Sequence, residues 1–227
     1  MPDLGRYRLV IFDCDGTLVD SQHNIVAAMT TAWRDAGLPD PDPAAVRRQV
    51  GLTLEFAVAR MLPAAPPEQV RELADSYRRI VNHLRSGVGL DEPLFDGIRD
   101  LIDALAAPEI FLGVATGKNY RGLEHTLATH GLRDRFHTLQ TGDRCRSKPD
   151  PEMVLKAAAE TGVPPSDAVV IGDTSFDMEM ARAAGATAIG VAWGYHPPEE
   201  LLEAGAQAVI DAPRHLIDCL QSLSARR

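Results

Sequence analysis

The sequence predicts an α/β protein, with a Rossmann-like parallel-sheet core and an inserted all-α cap domain. Short apolar runs rich in β-branched residues alternate with longer segments of helical periodicity, as in parallel sheets with crossover helices. Residues 21–90 break this alternation, because they show helical periodicity and no convincing strand. We therefore expect residues 1–20 and 91–227 to form the core and residues 21–90 to form the helical cap.

Five apolar segments are predicted to be buried strands. They are residues 8–12, 111–115, 168–172, 186–192 and, as the weakest, 208–210. Helical periodicity predicts helices at 97–106, 120–130, 151–161, 176–184 and 213–223. Capping residues support these helices, because Asp150-Pro151 suits a helix start and Gly131, Gly162 and Gly185 suit helix ends.

The predicted cap differs from the core in the proline-rich segments between its helices and in its charge. Apolar residues recur at helical spacing, and proline-rich pieces at 39–43 and 63–67 separate its helices. Residues 21–90 carry eight arginines and seven acidic residues, a net charge of +1, whereas the rest of the chain carries −10. This contrast favours an anionic ligand between the two parts, since opposite fields focus charged substrates.

Composition excludes several classes of protein. With 227 residues and 45% hydrophobic residues, the chain can bury a sizeable core, which excludes disorder. The net charge of −9 argues against a nucleic-acid partner. The three cysteines form no CxxC pair, the apolar run near the N-terminus is too short for a signal peptide, and no segment approaches a membrane span of about 20 apolar residues. We expect a cytoplasmic protein, a monomer or weak homodimer, without a membrane partner.

The first strand runs directly into Asp13-Cys14-Asp15-Gly16-Thr17. In open α/β sheets ligands bind beyond the carboxyl ends of the strands, and alternation places Asp13 and Asp15 on the same side. Two ionised carboxylates so close together repel each other, and a hard cation such as Mg²⁺ would remove that penalty. Gly16 permits a sharp turn there.

Other predicted strands end in residues of related chemistry. The strand at 168–172 leads to Asp173 and Asp177, which add carboxylates to the same edge of the sheet. The strand at 111–115 leads to Thr116 and Gly117, a hydroxyl and backbone N–H groups suited to an anion, and Lys148 stands just before a predicted helix. A metal site, a carboxylate nucleophile, an anion site and a lysine together indicate phosphoryl transfer through an aspartyl-phosphate.

The order of these motifs resembles the haloacid dehalogenase superfamily, within it the phosphoglycolate-phosphatase-like branch. The segment DCDGTLVDS at 13–21 resembles the first motif, Thr116 the second, Lys148 the third, and Asp173 with Asp177 the fourth. The resemblance covers nearly the whole chain. One departure is Gly117-Lys118, where many relatives carry Asn-Lys or Ser-Lys.

The resemblance implies a role for each matching residue. Asp13 would attack phosphorus, and Asp15 would protonate the leaving oxygen and then activate water. Lys148 would brace Asp13 and bind the phosphoryl oxygens. The other implied substrate contacts are Gly16, Thr17, Thr116 and Gly117. The implied Mg²⁺ ligands are Asp13, the backbone carbonyl of Asp15, and Asp173, with Asp177 supporting them.

The expected function is a Mg²⁺-dependent phosphatase for a small phosphorylated metabolite, with phosphoglycolate as the default substrate. Two alternatives remain: a sugar-phosphate mutase, which would shield the aspartyl-phosphate from water, and a catalytically weak binding protein. Product analysis on a hexose phosphate and turnover of an aryl phosphate distinguish them. Substrate choice is expected from the cap, at Arg47, Arg48 and Arg60 around the turn Gly51-Leu52-Thr53.

Overall fold

The computed structural model describes residues 4–87, 90–107 and 109–225 and contains one parallel sheet of six strands. This confirms the predicted fold class. All five predicted strands are present within about two residues, and a further strand lies between the second and third of them. The strands are β1 Leu9–Phe12, β2 Phe111–Thr116, β3 Thr138–Thr141, β4 Ala168–Gly172, β5 Thr187–Val191 and β6 Ala208–Ile210.

Ten α-helices accompany the sheet in the described ranges. They are α1 Gln22–Asp35, α2 Pro43–Arg47, α3 Leu54–Met61, α4 Pro67–Ser86, α5 Ile98–Leu105, α6 Tyr120–Thr129, α7 Glu152–Thr161, α8 Ser175–Ala184, α9 Pro198–Glu203 and α10 Leu216–Ala225. The five helices predicted for the core are confirmed, with ends shifted by up to three residues. The Asp150 side chain accepts a hydrogen bond from the Glu152 backbone N–H at 3.0 Å, and Gly162 and Gly185 end α7 and α8 in left-handed conformation.

The strand order is β3-β2-β1-β4-β5-β6, which places β1 in the middle of the sheet. The chain builds outward from β1 through β2 to β3, then crosses back to β4 and builds outward on the other side. Phe12 is level with Val114 of β2 and Ile171 of β4, so these three strands end side by side. A crevice opens where the strand order reverses, and ligands of open α/β sheets bind there.

Alternating residues of β1 serve two separate cores. Val10 and Phe12 pack with side chains of α5, α6 and α10, whereas Leu9 and Ile11 pack with α7, α8 and α9. All four side chains are fully buried. Because both faces of the sheet are covered, its central strands are continuous apolar runs, and this is why they were recognisable in the sequence.

The helices α1–α4, termed here the helical insert (Gln22–Ser86), have a core of their own. Trp33 of α1, Val58 of α3 and Leu73 of α4 are among its buried residues. Val19 pairs with both Asp15 and Leu94, so the two connections to the sheet run side by side. The division of the chain at residues 20/21 and 90/91 stays a prediction, and Val88 and Gly89 lie outside the described residues.

Two elements escaped prediction. β3 reads Thr-Leu-Gln-Thr, yet all four residues are buried, and Gln140 donates to the Thr138 hydroxyl at 2.8 Å. α9 spans only six residues behind a proline N-cap, too short for a periodic signal. Among the described helices, none combines the length and the apolar character that crossing a membrane requires.

Candidate active site

Asp13 follows β1 directly and is bound to a buried lysine. The Lys148 Nζ atom lies 2.9 Å from Asp13 Oδ1 and 2.6 Å from Asp177 Oδ1, and all three side chains are fully buried. The Cys14 backbone N–H also donates to Asp13 Oδ1, at 2.7 Å. The second oxygen, Asp13 Oδ2, is buried and has no hydrogen-bond partner in the described part of the chain. A buried carboxylate oxygen without a partner is costly, so this atom is suited to meet a cation or an electrophile.

Three of the predicted acidic residues meet at this point. Asp13, Asp173 and Asp177 each place a carboxylate oxygen within 4.8 Å of the others. Asp173 accepts hydrogen bonds from the Thr17 hydroxyl at 2.9 Å and from the Tyr195 backbone N–H at 3.0 Å. The sheet topology explains the meeting, because β1 and β4 are neighbours and end at the same level.

Burial makes this cluster electrostatically strained. Burial raises the pKa of Asp13 well above its usual range, although the Lys148 ammonium opposes the shift. Burial and the neighbouring Asp177 carboxylate raise the pKa of Asp173 to about 7. Burial alone would lower the pKa of Lys148, but the carboxylates of Asp13 and Asp177 raise it instead, so Lys148 keeps its charge. The single positive charge of Lys148 does not neutralise three carboxylates, and a divalent cation bound beside it would neutralise the remaining two negative charges.

The three carboxylates of the cluster are not equally available to a hard cation. Asp177 uses both oxygens, one for Lys148 and the other for the backbone N–H and hydroxyl of Thr174 at the start of α8. Its carboxylate therefore orients Lys148 and caps a helix, which agrees with a supporting position. Asp13 Oδ2 accepts no hydrogen bond among the described residues, and each oxygen of Asp173 accepts only one, from an uncharged donor. Asp13 and Asp173 therefore remain as the carboxylates suited to bind a metal ion directly. The Asp15 side chain is not part of the cluster.

Asp15 belongs instead to a chain of ion pairs beside the cluster. Its Oδ1 atom accepts from the Ser21 hydroxyl at 2.6 Å and lies 3.0 Å from Lys118 Nζ, which lies 2.8 Å from Glu92 Oε1. All three charged side chains are about nine-tenths buried. Burial alone would lower the pKa of Lys118, but the Asp15 and Glu92 carboxylates raise it. Lys118 therefore stays charged between two acids.

Sequence reasoning did not assign Lys118 or Glu92 to the site. The signal for Lys118 was present, since it follows Thr116-Gly117 beyond the end of β2. No comparable signal marks Glu92, which lies in the connection that returns from the helical insert. Its partners become visible only in three dimensions: Glu92 Oε2 accepts from the Thr126 hydroxyl at 2.7 Å, and its backbone carbonyl lies 2.8 Å from a ring nitrogen of His130.

The predicted phosphate-binding residues surround the same crevice. The Thr116 hydroxyl is buried and accepts from the Lys118 backbone N–H at 3.2 Å. The Thr17 hydroxyl is committed to Asp173. Gly16 has a φ of +91°, and a Cβ there would lie 2.2 Å from Asp173 Oδ2, so only glycine fits.

The helical insert reaches the crevice through the turn Gly51-Leu52-Thr53, which lies between α2 and α3 as predicted. A Cβ on Gly117 would lie 2.1 Å from the Leu52 carbonyl oxygen, so the turn sits directly on the loop after β2. Gly51 also lies near the unpartnered Asp13 Oδ2, which would be 3.7 Å from a Cβ at that position. The insert therefore covers the end of β1 and separates it from bulk water.

A cavity of about 480 Å³ lies between the helical insert and the sheet, next to Asp15 and Lys118. None of the three arginines expected to select the substrate lines it. Arg48 forms an exposed bidentate ion pair with Glu200, Arg60 lies over the Phe176 ring, and Arg47 contacts Gln22. Spacing around a turn does not tell which helix face meets the core, so the sequence could not show that these arginines lie outside the cavity lining, and their role in substrate choice stays a prediction. The insert arginines that line the cavity are Arg78 and Arg85 of α4.

His196, in the loop between β5 and α9, connects the core to the helical insert. It is buried, and its Nδ1 accepts from the Ser175 backbone N–H at 3.2 Å. Its Nε2 lies 3.3 Å from the Arg48 carbonyl oxygen and therefore donates. Burial and the Arg48 guanidinium lower the pKa of His196, which keeps the ring neutral as these two bonds require.

Comparison with known proteins agrees with this geometry. A family profile described as haloacid dehalogenase-like hydrolase matches residues 10–191. The chain is 36% identical to a protein of Pseudomonas aeruginosa named N-acetylmuramic acid 6-phosphate phosphatase, over 95% of both chains. It is 29% identical to a phosphoglycolate phosphatase of Chromobacterium violaceum, over 97% of this chain and 99% of that one. The crystal structure of a hydrolase from Pseudomonas syringae superimposes with a TM-score of 0.84 at 27% identity, covering 96% of this chain and 99% of that one.

Proposed function

Because the chain belongs to the haloacid dehalogenase-like hydrolase family and is a phosphoric monoester hydrolase, we propose that it dephosphorylates a small metabolite through an aspartyl-phosphate at Asp13, with Mg²⁺ as cofactor. One observation carries this proposal. Asp13 directly follows the central strand; Lys148 and the Cys14 N–H hold one of its oxygens, and the other is buried without a partner among the described residues. A nucleophile held in this way needs little reorganisation before attack.

In the first step an oxygen of Asp13 forms a bond to phosphorus, and the bond from phosphorus to the ester oxygen breaks. The leaving oxygen takes a proton from Asp15, which lines the cavity where the alcohol part would lie. In the second step water attacks phosphorus, Asp15 takes the proton of the water, and the Asp13–phosphorus bond breaks to release phosphate. Lys118 and Ser21 orient Asp15 for both transfers.

Positive charge for the phosphoryl oxygens comes from Lys148, which stays protonated between its carboxylates. The Thr116 hydroxyl and the backbone around Gly117 add hydrogen-bond donors at the end of the neighbouring strand. Mg²⁺ bound by Asp13, Asp173 and the Asp15 carbonyl would supply the remaining charge neutralisation at phosphorus. Asp177 acts on this site by holding Lys148.

For the substrate we favour a phosphorylated sugar acid over the default, phosphoglycolate. Both names borne by the relatives describe carboxylate-bearing phosphomonoesters. They differ in size, and the cavity of about 480 Å³ lies in the range of pockets that hold whole sugars or drug-sized ligands. A two-carbon glycolate would fill a small part of it and leave most of the wall without contacts.

The test is to trap the intermediate. Wild-type protein is incubated with 4-nitrophenyl phosphate and Mg²⁺ or with EDTA, quenched in acid, and mapped by mass spectrometry. We expect Mg²⁺-dependent phosphate release and an acyl-phosphate on Asp13. Asp13→Asn should lose both, while the control Asp211→Asn, at a side chain 80% exposed, should keep both. Phosphate release by Asp13→Asn within tenfold of wild type would overturn the proposal. Conversion of a hexose phosphate to an isomer without phosphate release would indicate the mutase instead.

A further inference from the structure

Some of the charged groups that line the cavity have partners of opposite charge, and others do not. Lys118 lies between Asp15 and Glu92, and Arg78 pairs with Glu55 and Asp75. Asp143, the remaining lining carboxylate, accepts from the Tyr120 backbone N–H and the Thr141 hydroxyl. These contacts account for every carboxylate of the lining. Two lining arginines, Arg85 and Arg121, have no carboxylate within 4 Å in the part of the chain that the structure describes.

Arg85 is the more enclosed of these two arginines. Among the residues that the structure describes, its buried Nε atom has no hydrogen-bond partner, and its Nη1 atom donates to Asn82 Oδ1 at 3.4 Å. Its Nη2 atom lies against the first turn of α6, where a Cβ on Gly122 would come within 2.7 Å. A larger residue at position 122 would compete for the space that the guanidinium occupies. Arg121, on the same turn, is exposed at the rim.

A second unpartnered atom lines the same cavity. Gln49, in the connection between α2 and α3, has a buried Oε1 atom that no described residue meets with a hydrogen bond. Four buried side-chain atoms lack partners among the described residues: Arg6 Nε, Asp13 Oδ2, Gln49 Oε1 and Arg85 Nε. One of them belongs to the proposed nucleophile and two line the adjacent cavity. Unpartnered buried polar groups are rare in folded proteins and call for a ligand or water.

We propose that Arg85 and Gln49 bind the alcohol part of the substrate, Arg85 through a carboxylate and Gln49 through a hydroxyl or amide N–H. This inference rests on the phosphatase function proposed above. A carboxylate fits the planar guanidinium and satisfies the buried Nε–H. A donor on the substrate satisfies Gln49 Oε1. Lys118 offsets one of the two negative charges of Asp15 and Glu92, so the positive charge that a substrate carboxylate needs in this cavity comes from Arg85.

The test compares substrates with and without a carboxylate in the alcohol part. The first pair is N-acetylmuramic acid 6-phosphate and N-acetylglucosamine 6-phosphate, which lacks the lactyl carboxylate. The second pair is phosphoglycolate and 2-hydroxyethyl phosphate. We expect wild type to prefer the carboxylate-bearing member, with the larger kcat/KM in the sugar pair. Equal kcat/KM within both pairs, or no hydrolysis of any of the four, would overturn the proposal.

Three variants show whether Arg85 carries that preference. Arg85→Met should lower the ratio of kcat/KM within the preferred pair by roughly 10- to 100-fold, the usual effect of losing a hydrogen bond to a charged group. Arg85→Lys should recover part of the ratio, because charge returns without the bidentate geometry. Arg79→Met is the matched control, since Arg79 lies on the same helix, is exposed and does not line the cavity. An unchanged ratio in Arg85→Met would refute the role of this residue.

Gln49→Leu should change the kinetics in a different way from Arg85→Met. It should lower kcat/KM for both sugar substrates by a similar factor, about 2- to 10-fold, because a neutral hydrogen bond is lost whether or not the carboxylate is present. An effect as large on 2-hydroxyethyl phosphate would refute the contact. Hydrolysis of 4-nitrophenyl phosphate is measured in parallel. If wild type fails there, the proposed function fails, whereas retained aryl phosphatase activity with unchanged selectivity refutes this inference alone.

Discussion

Replacing Lys118 by methionine would test how the candidate acid–base residue is held. Methionine has a similar length and no charge, so Asp15 and Glu92 would face each other with neither neutralised. Their side chains are only 10% and 8% exposed, so water compensates for the lost ammonium only in part. Breaking a buried ion pair by removing one partner costs about 3–5 kcal/mol. In a protein of this size each kcal/mol lowers the melting temperature by roughly 2–4 °C, so we expect a fall of about 6–20 °C.

The same change should alter catalysis in a way that depends on the leaving group. Asp15 Oδ1 would keep the Ser21 hydroxyl and lose the ammonium, so the carboxyl group could rotate away from the ester oxygen. An alkyl phosphate needs a proton on its leaving oxygen, and its kcat should fall by up to about 10²–10⁴. An aryl phosphate has a good leaving group and needs that proton less, so its kcat should fall by a smaller factor.

Thermal denaturation and the ratio of kcat for an alkyl phosphate and 4-nitrophenyl phosphate measure the two effects. The double variant Lys118→Met/Glu92→Met should recover much of the stability, because an apolar pair often replaces a buried ion pair without loss, but not the alkyl phosphatase activity. Lys156→Met is the matched control, since Lys156 is 43% exposed. If Lys118→Met kept both the melting temperature and the activity ratio of wild type, the positioning role would be refuted.

Three further changes have defined outcomes. Asp15→Ala should lower kcat on alkyl phosphates by roughly 10²–10⁴ while KM changes little, and a normal kcat in steady-state assays would contradict the acid–base role. Adding Mg²⁺ after EDTA should restore turnover and raise the melting temperature, because the cation relieves repulsion between Asp13 and Asp173. Excess Ca²⁺ should inhibit turnover, since Ca²⁺ has a looser coordination geometry. An unchanged melting temperature with Mg²⁺ would argue against a metal site. His196 has a lowered pKa, so the unfolded chain binds a proton more readily than the folded one, and wild-type stability should fall as the pH drops through the ordinary value of 6.5. Denaturant titrations of His196→Gln at several pH values should show a smaller loss of unfolding free energy over that range. If the unfolding free energy of this variant and of wild type changed equally with pH, the histidine would be excluded as the cause.

Much of the candidate site was predictable from the chain. Asp13 and Asp173 each follow an apolar strand, Thr116 is the last residue of another, and the carboxyl ends of parallel strands lie at one edge of a sheet. The structure brings Asp13, Asp173, Asp177 and Lys148 together because β1 and β4 are neighbours. Such a prediction needs only local periodicity and strand order, since side chains at strand ends take their positions from the backbone.

The pairings between distant segments were not predictable in the same way. Lys118 carries a signal at the end of β2, but Glu92 lies in a connection without periodicity, and their contact depends on how the chain returns from the helical insert. β3 was missed for a related reason, because its polar residues are buried by hydrogen bonds to each other and to Glu160, which the sequence pattern does not record.

The sequence by itself determined the α/β class, the inserted helices and the residue types for phosphoryl transfer, because strand ends and helix ends follow from short-range rules. Only the tertiary structure decided which arginines of the insert face the crevice. Arg47, Arg48 and Arg60 stand beside the turn that covers Asp13, yet the docking of α4 brings Arg78 and Arg85 into the cavity. Which face of a helix meets the core depends on the packing of whole apolar surfaces, and that packing is a property of the folded chain.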